Sequence, residues 1–509
     1  MTTHSKQDEQ FQVYHGENEC GLVWQVGAAD LLTPVGAYLR LAKWSAHDGK
    51  YMILLESIEG GAVRGRYSVI ALMPDVVWKC QDGKVEISQD YSPEAPLFTS
   101  DSEHGLPLES LRQLVKDSQM VLPDGLPPMI GGVFGYLGYD MVRQMEVLPH
   151  APPDDLSLPE GVMVRPSLFV IFDNVKDEFI LASPVRANKG SFSYEEQVLK
   201  AKARVEGAYH VLQQALPVLP ASPNKQGQSS ITPESTFTRE DFLGVVEKIK
   251  EYIYAGDAFQ VVPSQRFSAP FSGTPLSLYR SLRRVNPAPF MFYLQLEGFA
   301  LVGSSPEILV RLREGIMTVR PLAGTRPRGK DRAEDLALEK ALLADSKEKA
   351  EHLMLIDLGR NDVGRVCRLG SVRVKEQFII ERFSHVMHIS STVEGVIKPD
   401  HDCIDALVAA FPAGTLTGAP KIRAMEIIDE VERTKRVTYA GCIGYFGVDG
   451  SMDTCIGLRM ALLKQGRMYV QAGCGVVAES VPQLEYEETQ HKARALFRAA
   501  EGAWAFAET

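Results

Sequence analysis

The segments FMFYLQLEGFALVGS (residues 290–304) and EILVRLREGIMTVRPL (307–322) decide the fold class, because both are rich in residues that favour β-strands. Similar strand-like runs are FQVVPSQRF (259–267) and MYVQAGCGVV (468–477). Long helical stretches separate these runs without a regular alternation of strand and helix. This irregular mixing predicts an α+β fold with a mostly antiparallel sheet, and it disfavours a doubly wound parallel sheet.

The chain divides by composition into two large parts. Residues 1–20 form a polar N-terminal tail, and residues 21–215 carry short strand-like runs with a few helices. The stretch PVLPASPNKQGQSSITPEST then offers little to bury, so we predict a linker over residues 216–236. A second domain is expected over residues 237–509.

Composition limits the classes of function. The 509 residues carry a formal net charge of −11, which disfavours a nucleic-acid or anionic-membrane partner. The seven cysteines are odd in number and lack a C-x-x-C spacing, so neither a disulfide framework nor a structural zinc site is expected. No apolar run approaches the roughly 20 residues of a membrane span, and the polar start MTTHSKQDEQFQ lacks a signal core. A cytoplasmic protein is therefore expected.

Two pairs of glutamates have helical spacing. Glu348 and Glu351 lie in DSKEKAEHLMLIDLGRND, and Glu485 and Glu488 lie in SVPQLEYEETQHKARALF. Residues three apart share one helix face, and converging carboxylates favour a hard cation such as Mg²⁺. The alternative is ordinary surface ion pairing, for example between Glu488 and Lys492. The spacing alone leaves both interpretations open.

Both glutamate segments are predicted to be helical. In the first, Leu336, Leu343, Ala350 and Met354 are interpreted as one apolar stripe that leaves the glutamates free to face a site. The second opens with Ser480-x-x-Gln, which predicts a capping box.

Four further features suit an anionic ligand. Glycines and threonines precede a predicted helix in FPAGTLTGAPKIRAMEIIDEVE (411–432), and Gly473 and Gly475 would let a ligand approach the backbone. His388 is a candidate acid, base or hydrogen-bond donor, and Arg459 lies in an apolar run where its charge needs an anion. The alternatives are a capped helix, a common turn, a strand histidine and a structural ion pair.

Together these segments resemble the chorismate-utilising enzymes, most closely the anthranilate synthase component I family. The resemblance is carried by LVGSSPEILVR (301–311), RPLAGTRPRG (320–329), the two glutamate segments and YAGCIGYFGVDGSMDTCIGLRMAL (439–462). It extends nearly end to end and is more specific in the C-terminal half. It implies sandwich-like antiparallel sheets surrounded by helices, and an enzyme that converts chorismate and ammonia to anthranilate and pyruvate with Mg²⁺ as cofactor.

The resemblance also implies roles for individual residues. Glu351 and Glu488 match the residues that bind Mg²⁺ most directly. Glu348 and Glu485 complete the acidic setting, and His388 matches the catalytic histidine. Thr415 is implied as a nearby polar contact, and the positions that match chorismate-binding residues are Gly324, Thr325, Tyr439, Arg459, Gly473 and Gly475.

Two positions separate this chain from related enzymes. Water-adding relatives carry a lysine base where this chain has Gln260, and aminodeoxychorismate synthases carry a lysine nucleophile where it has Ala323. Ammonia and the anthranilate product are therefore favoured. The alternatives are an aminodeoxychorismate synthase component I and a tryptophan-sensing subunit without catalysis.

Regulation and a partner are implied as well. Residues 54–57 (LLES) and the segment NPAPFM resemble a tryptophan inhibitor site, although family members usually have NPSPYM. The chain ends at EGAWAFAET without an amidotransferase domain, so a separate glutamine amidotransferase subunit and a hetero-oligomer are expected. The implied inhibitor-binding residues are Leu55, Glu56, Ser57, Pro289, Phe290 and Met291.

Overall fold

The computed structural model describes residues 11–16, 20–45, 50–59, 63–101, 104–186, 193–216, 231–383 and 386–506. Most of the predicted linker, residues 217–230, and most of the predicted N-terminal tail lie outside these ranges. The division into tail, two domains and linker therefore stays a prediction.

The strands are short, apart from two long ones in the N-terminal half. Their bounds are β1 (Gln12–His15), β2 (Gly21–Ala28), β3 (Met52–Glu59), β4 (Val63–Gln81), β5 (Lys84–Gln89), β6 (Thr99–Ser100), β7 (Val133–Leu137), β8 (Gly161–Asp173), β9 (Glu178–Val185), β10 (Glu234–Ser235), β11 (Gln260–Val261), β12 (Ser264–Pro270), β13 (Phe290–Gln295), β14 (Phe299–Ser305), β15 (Ile308–Arg313), β16 (Ile316–Val319), β17 (Leu322–Pro327), β18 (Arg373–Arg382), β19 (Val386–Val396), β20 (Gly418–Ala419), β21 (Cys442–Phe446), β22 (Met452–Ile456), β23 (Met460–Lys464) and β24 (Arg467–Gly473).

The helices lie between groups of strands, and α6 and α7 follow each other directly. Their bounds are α1 (Pro34–Trp44), α2 (Pro107–Asp117), α3 (Tyr194–Gln213), α4 (Arg239–Tyr254), α5 (Pro275–Val285), α6 (Arg332–Ala344), α7 (Ser346–Val366), α8 (Cys403–Ala410), α9 (Lys421–Val431) and α10 (Pro482–Gly502). Among the described residues, no helix is both long enough and apolar enough to cross a membrane.

Apart from β11 and β20, which pair with each other, the strands build two antiparallel sheets that share β4 and β8. One sheet has the order β1-β2-β9-β8-β4-β3-β13-β14-β23-β24-β12-β10. The other runs β5-β4-β8-β7-β21-β22-β15-β16-β19, and β19 also pairs with β17 and β18. The shared strands change sheets at a bend where the β4–β8 register shifts between Pro74 and Val76 and Met73 has a φ of +53°.

Apolar side chains fill three layers. Phe134, Phe169, Phe292 and Ile443 belong to the core shared by the two sheets. Helices α1, α3, α5 and α10 contribute to the core on the outer face of the first sheet, and α2, α7 and α8 to the core on the outer face of the second. The result is a sandwich of antiparallel sheets surrounded by helices, which confirms the predicted fold class.

The N- and C-terminal halves of the chain share both sheets. In the first sheet β3 pairs with β13, with Leu55 opposite Phe292. In the second sheet β7 pairs with β21, with Tyr136 opposite Ile443. The halves therefore interleave through backbone hydrogen bonds rather than meeting only through side chains.

Two local predictions about the glutamate helices were wrong. The apolar stripe from Leu336 to Met354 spans two helices and not one, because Asp345 ends α6 and caps α7 by accepting hydrogen bonds from the N–H groups of Lys347 and Glu348. Leu336, which the stripe placed in the core, is 43% exposed. In the second segment the N-cap is Val481, and the Ser480 hydroxyl accepts a hydrogen bond from the Val477 N–H instead.

Candidate active site

A cavity of about 210 Å³ lies between β17, β19, α7, α10 and the end of β24. Its walls bring together residues that are far apart in the sequence. Glu348 and Glu485 do not line the cavity, although other residues of their helices α7 and α10 do. The predicted site residues that do line it are Gly324, Thr325, Glu351, His388, Thr415, Tyr439, Arg459, Gly473, Gly475 and Glu488.

Packing of two helices places the carboxylates. Helix α7 lies against β17 and β19 and buries Leu355, Ile356 and Gly359, so Glu351 on its neighbouring face borders the cavity. Helix α10 lies against β24, and Glu488 borders the same cavity. Both glutamate pairs are helical, as their spacing predicts.

The carboxylates repel one another. Burial raises the pKa of Glu351, and the negative charges of Glu348 and Glu488 raise it further, while a hydrogen bond from Gln260 Nε2 at 3.1 Å opposes the rise. Burial and the charge of Glu488 likewise raise the pKa of Glu485. Such repulsion is what a bound cation would relieve.

Each carboxylate also has a partner of its own. Glu488 forms an ion pair with Lys492 at 2.6 Å, and Glu348 forms one with Arg326 at 3.0 Å. Across the part of the chain that the structure describes, no three His, Cys, Asp or Glu side chains are grouped closely enough to hold a metal.

The donor set nevertheless fits Mg²⁺, which often binds through one or two carboxylates and takes its other ligands from water and substrate. Glu351 and Glu488 supply two such carboxylates to one cavity. Glycines keep the space near the acidic side chains open: a Cβ on Gly475 would lie 3.9 Å from Glu351 Oε1, and one on Gly324 would lie 3.1 Å from Glu348 Oε2.

His388 is held as a neutral imidazole. Its Nδ1 lies 3.0 Å from the Gly324 carbonyl oxygen and 3.1 Å from Thr325 Oγ1. Burial and the nearby charge of Arg459 lower the pKa of His388 to about 4. The Nδ1 proton can be donated to the Gly324 carbonyl, which leaves the buried Nε2 as an acceptor with no hydrogen-bond partner among the described residues.

The structure adds Glu307, which was not among the predicted site residues. Its Oε1 accepts hydrogen bonds from the Leu322 N–H at 3.3 Å and from Thr415 Oγ1 at 3.2 Å. Burial raises the pKa of Glu307 to about 8, so this side chain is a carboxylic acid at neutral pH. The sequence signal for Glu307 was its place in SSPEILV, between two apolar runs. An acidic residue is rarely buried in such a position, so its presence there is informative.

Arg459 lies in the same cavity without a counter-ion. Its backbone φ is +48°, and its guanidinium makes no ion pair with any residue in the described ranges. Burial lowers the pKa of Arg459, and the nearby Glu307 opposes the shift. The structural ion pair considered as an alternative is therefore not seen among the described residues, and a partly buried cation of this kind favours an anionic ligand.

Other buried groups hold the cavity wall. Arg436 forms an ion pair with Glu432 at 2.6 Å and donates to the carbonyl oxygens of Leu416 and Val262. Its guanidinium carbon also lies 5.5 Å from the ring centre of Tyr439. These contacts fix three lining residues.

The residues predicted to bind the inhibitor line a second cavity, of about 390 Å³. Leu55, Glu56 and Ser57 come from β3, and Phe290 and Met291 come from the neighbouring β13. Pro289 is not among the lining residues. Lining residues that the sequence did not suggest include Arg66, Tyr67, Arg311, Tyr445 and Asp453.

The sequence and the fold match known enzymes. A family model described as chorismate binding enzyme matches residues 73–498. The chain belongs to this family of chorismate-binding enzymes, as the sequence predicts.

Within the family, the similarity extends to individual proteins. The chain is 50% identical to anthranilate synthase component 1 of Cereibacter sphaeroides over 498 residues, covering 97% of this chain and 96% of that protein. It is 46% identical to the Pseudomonas aeruginosa protein of the same name, covering 92% and 93%. A crystal structure of anthranilate synthase component I from Streptococcus pneumoniae superposes with a TM-score of 0.73 at 34% identity, covering 92% of this chain and 98% of that one. The menaquinone-specific isochorismate synthase of Escherichia coli, at 17% identity and a TM-score of 0.70, shares the fold.

The raised pKa of Glu307 predicts how a neutral substitute changes stability with pH. Between an unfolded value near 4.5 and the folded value of about 8, the folded state holds a proton that the unfolded state has lost, so this residue makes stability fall as pH rises. The stability of Glu307→Gln relative to the unsubstituted chain should therefore rise by roughly 1.4 kcal/mol per pH unit across this window. Thermal unfolding from pH 5 to 8 measures it; a difference that does not change with pH would contradict the assignment.

Proposed function

We propose that the chain is the large subunit of an anthranilate synthase, which converts chorismate and ammonia to anthranilate, pyruvate and water. One observation carries the proposal: a single cavity contains a carboxyl group and an imidazole whose pKa shifts favour their uncharged forms, two further carboxylates, and a guanidinium without a counter-ion among the described residues. The similarity to anthranilate synthase component 1 proteins over nearly the whole chain supports it.

The cavity suits a substrate with two carboxylates. Arg459 is the partner for the enolpyruvyl carboxylate, because it is partly buried and has no other counter-ion among the described residues. The same cavity is lined by Glu351 and Glu488, which would hold Mg²⁺ with support from Glu348 and Glu485. When bound, Mg²⁺ supplies positive charge to the ring carboxylate of chorismate.

The uncharged groups suit loss of the 4-hydroxyl group. The Nε2 atom of His388 accepts a hydrogen bond from this hydroxyl, which orients the oxygen toward the acid. Glu307 then donates its proton, so the hydroxyl leaves as water while ammonia adds to the ring. Thr415 holds Glu307 in place through its hydrogen bond to Oε1. Loss of the ring proton and of the enolpyruvyl group as pyruvate then restores aromaticity.

Two residues favour ammonia and anthranilate over other outcomes. The amide of Gln260 donates a hydrogen bond to Glu351, and it cannot act as the base that would activate water. Ala323 lines the cavity where a lysine nucleophile would be required for the aminodeoxychorismate route. An aminodeoxychorismate synthase component I remains the second candidate.

The purified chain is expected to form fluorescent anthranilate from chorismate, ammonium and Mg²⁺. The rate should fall as pH rises through about 8, because Glu307 then loses its proton. Glu307→Gln and Glu488→Gln should each lower kcat/KM by about 100-fold or more. A non-fluorescent amino product would support the aminodeoxychorismate synthase instead, and tryptophan binding without any product would support a sensing subunit.

Tryptophan is proposed as the feedback inhibitor, bound in the cavity between β3 and β13. Aromatic and apolar groups such as Met129, Phe292 and Tyr445 suit an indole ring. Charged groups of both signs, among them Arg311 and Asp453, suit the amino and carboxylate groups of an amino acid.

Filling this cavity should remove inhibition without removing activity. Ser57→Phe places a large side chain in the space, so tryptophan should no longer inhibit, while the uninhibited rate with ammonium should stay within about twofold. Phe290→Tyr is the matched variant that restores the family's usual residue, and it should remain inhibited. Unchanged inhibition of Ser57→Phe would exclude this cavity as the inhibitor site.

A glutamine amidotransferase is proposed to supply ammonia by docking beside the cavity. Exposed apolar side chains lie on elements that share one small core built from α4, α9 and the start of α10. Apolar side chains grouped on a surface indicate an interaction site. The exposed residues are Tyr254, Phe259, Ile422, Val481 and Leu484.

Phe259→Glu should separate the two ammonia sources. Phe259 is 71% exposed, so a charge there should abolish glutamine-dependent synthesis with the amidotransferase but leave the ammonium-dependent rate nearly unchanged. Leu369 is fully exposed and is not one of these five residues, so Leu369→Glu is the control and should lose neither rate. Equal glutamine-dependent rates for the two variants would place the partner elsewhere.

A further inference from the structure

A third cavity, of about 390 Å³, lies at the bend where β4 passes from one sheet to the other. Met73, Pro74 and Asp75 of the bend form one wall. The end of β9, the end of β5 and helix α3 form the others. It shares no lining residue with the candidate active site or with the inhibitor cavity. Nothing in the proposed reaction uses it.

Positive charge dominates this cavity. Arg186, Lys200 and Arg204 line it, and Arg165 lies behind Asp75. Arg165 donates a hydrogen bond to each carboxylate oxygen of Asp75, from Nε to Oδ1 at 2.8 Å and from Nη2 to Oδ2 at 2.9 Å. With Asp90 as the second acid, the lining holds three cations and two carboxylates, and Arg165 neutralises Asp75, in a chain whose net charge is −11.

Arg186 is the least satisfied of these cations. It is only 8% exposed and donates to the Gly131 carbonyl oxygen, but its buried Nε has no hydrogen-bond partner, and it makes no ion pair with a described residue. Burial, with the nearby charge of Arg165, lowers the pKa of Arg186 to about 10. An unpaired buried guanidinium is costly unless an anion meets it.

Other donors border the same space. The Tyr91 hydroxyl is buried without a partner among the described residues, and Gln197 supplies an amide. Arg204 donates to Ser183 Oγ at 3.1 Å and makes no ion pair with a described residue, and burial lowers its pKa. These groups provide several N–H and O–H donors on different walls, as tetrahedral oxyanions require.

We propose that this cavity binds a divalent oxyanion, namely phosphate, either free or as the phosphoryl group of a small metabolite. The negative charge of the phosphate would meet the guanidinium groups of Arg186 and Arg204, neither of which makes an ion pair with a described residue. The donors of Arg186 and Arg204 face the bound oxygens, and Tyr91 donates a further hydrogen bond. The volume exceeds that of the phosphate ion, so an organic group attached to the phosphoryl group also fits.

Calorimetric titration of the full chain tests this site, with inorganic phosphate and glycerol 3-phosphate as the probes. One equivalent of either probe should bind, and Arg186→Gln and Arg204→Gln should each weaken binding at least tenfold. Binding of both or of inorganic phosphate alone assigns the free ion, and binding of the ester alone assigns a metabolite. Arg433→Gln removes a positive charge from an exposed ion pair elsewhere and should bind as the unsubstituted chain does.

Thermal unfolding provides a readout that separates folding from binding. Without phosphate, Arg186→Gln should unfold at the same or a higher temperature than the unsubstituted chain, because an unpaired buried charge is removed. Phosphate should raise the unfolding temperature of the unsubstituted chain and not that of the variant. Absence of binding to either probe, unchanged affinity in both variants, or displacement of phosphate by chorismate would overturn the proposal.

Discussion

The antiparallel pairing of β4 with β8 is the constraint on which the rest of the structure depends. Both strands run through the two sheets, and the register shift between Pro74 and Val76 marks where they turn from one into the other. Beyond the bend, each sheet extends by strands of the C-terminal half, through β13 on one side and β21 on the other. A large sandwich is thereby assembled from short strands, which could not bury both faces alone.

Burial within the fold sets the charge of each titratable group in the candidate active site. The same burial makes Glu307 hold its proton, makes His388 release one, and leaves Arg459 charged but without a partner among the described residues. Three titratable groups are thus brought to the forms that a proton donor, a hydrogen-bond acceptor and an anion partner require. Glu351 and Glu488 line the same cavity, where their mutual repulsion favours binding of a cation.

The sequence predicted the fold class and the family, because long apolar runs and extended local matches can be recognised without knowledge of packing. Spacing also placed both glutamate pairs on helices correctly. The break at Asp345 was missed because a cap within a helical pattern looks like one more polar residue. Glu307 was missed for a related reason: its importance comes from burial between β14 and β15, and burial depends on contacts distant in the sequence. The roles of the site residues and of Mg²⁺ remain predictions.

Net charge was a poor guide to ligands, and the arginines explain why. The chain is acidic overall, which argues against polyanionic partners that contact a wide surface. A small anion responds instead to the few groups that surround it. Arg436 and Arg165 are buried but paired with carboxylates, so they stabilise walls and attract nothing. Arg459 is partly buried and Arg186 is buried, each without such a partner in the described structure, and each borders a cavity. The proposed anion sites therefore rest on these two arginines and not on the total charge.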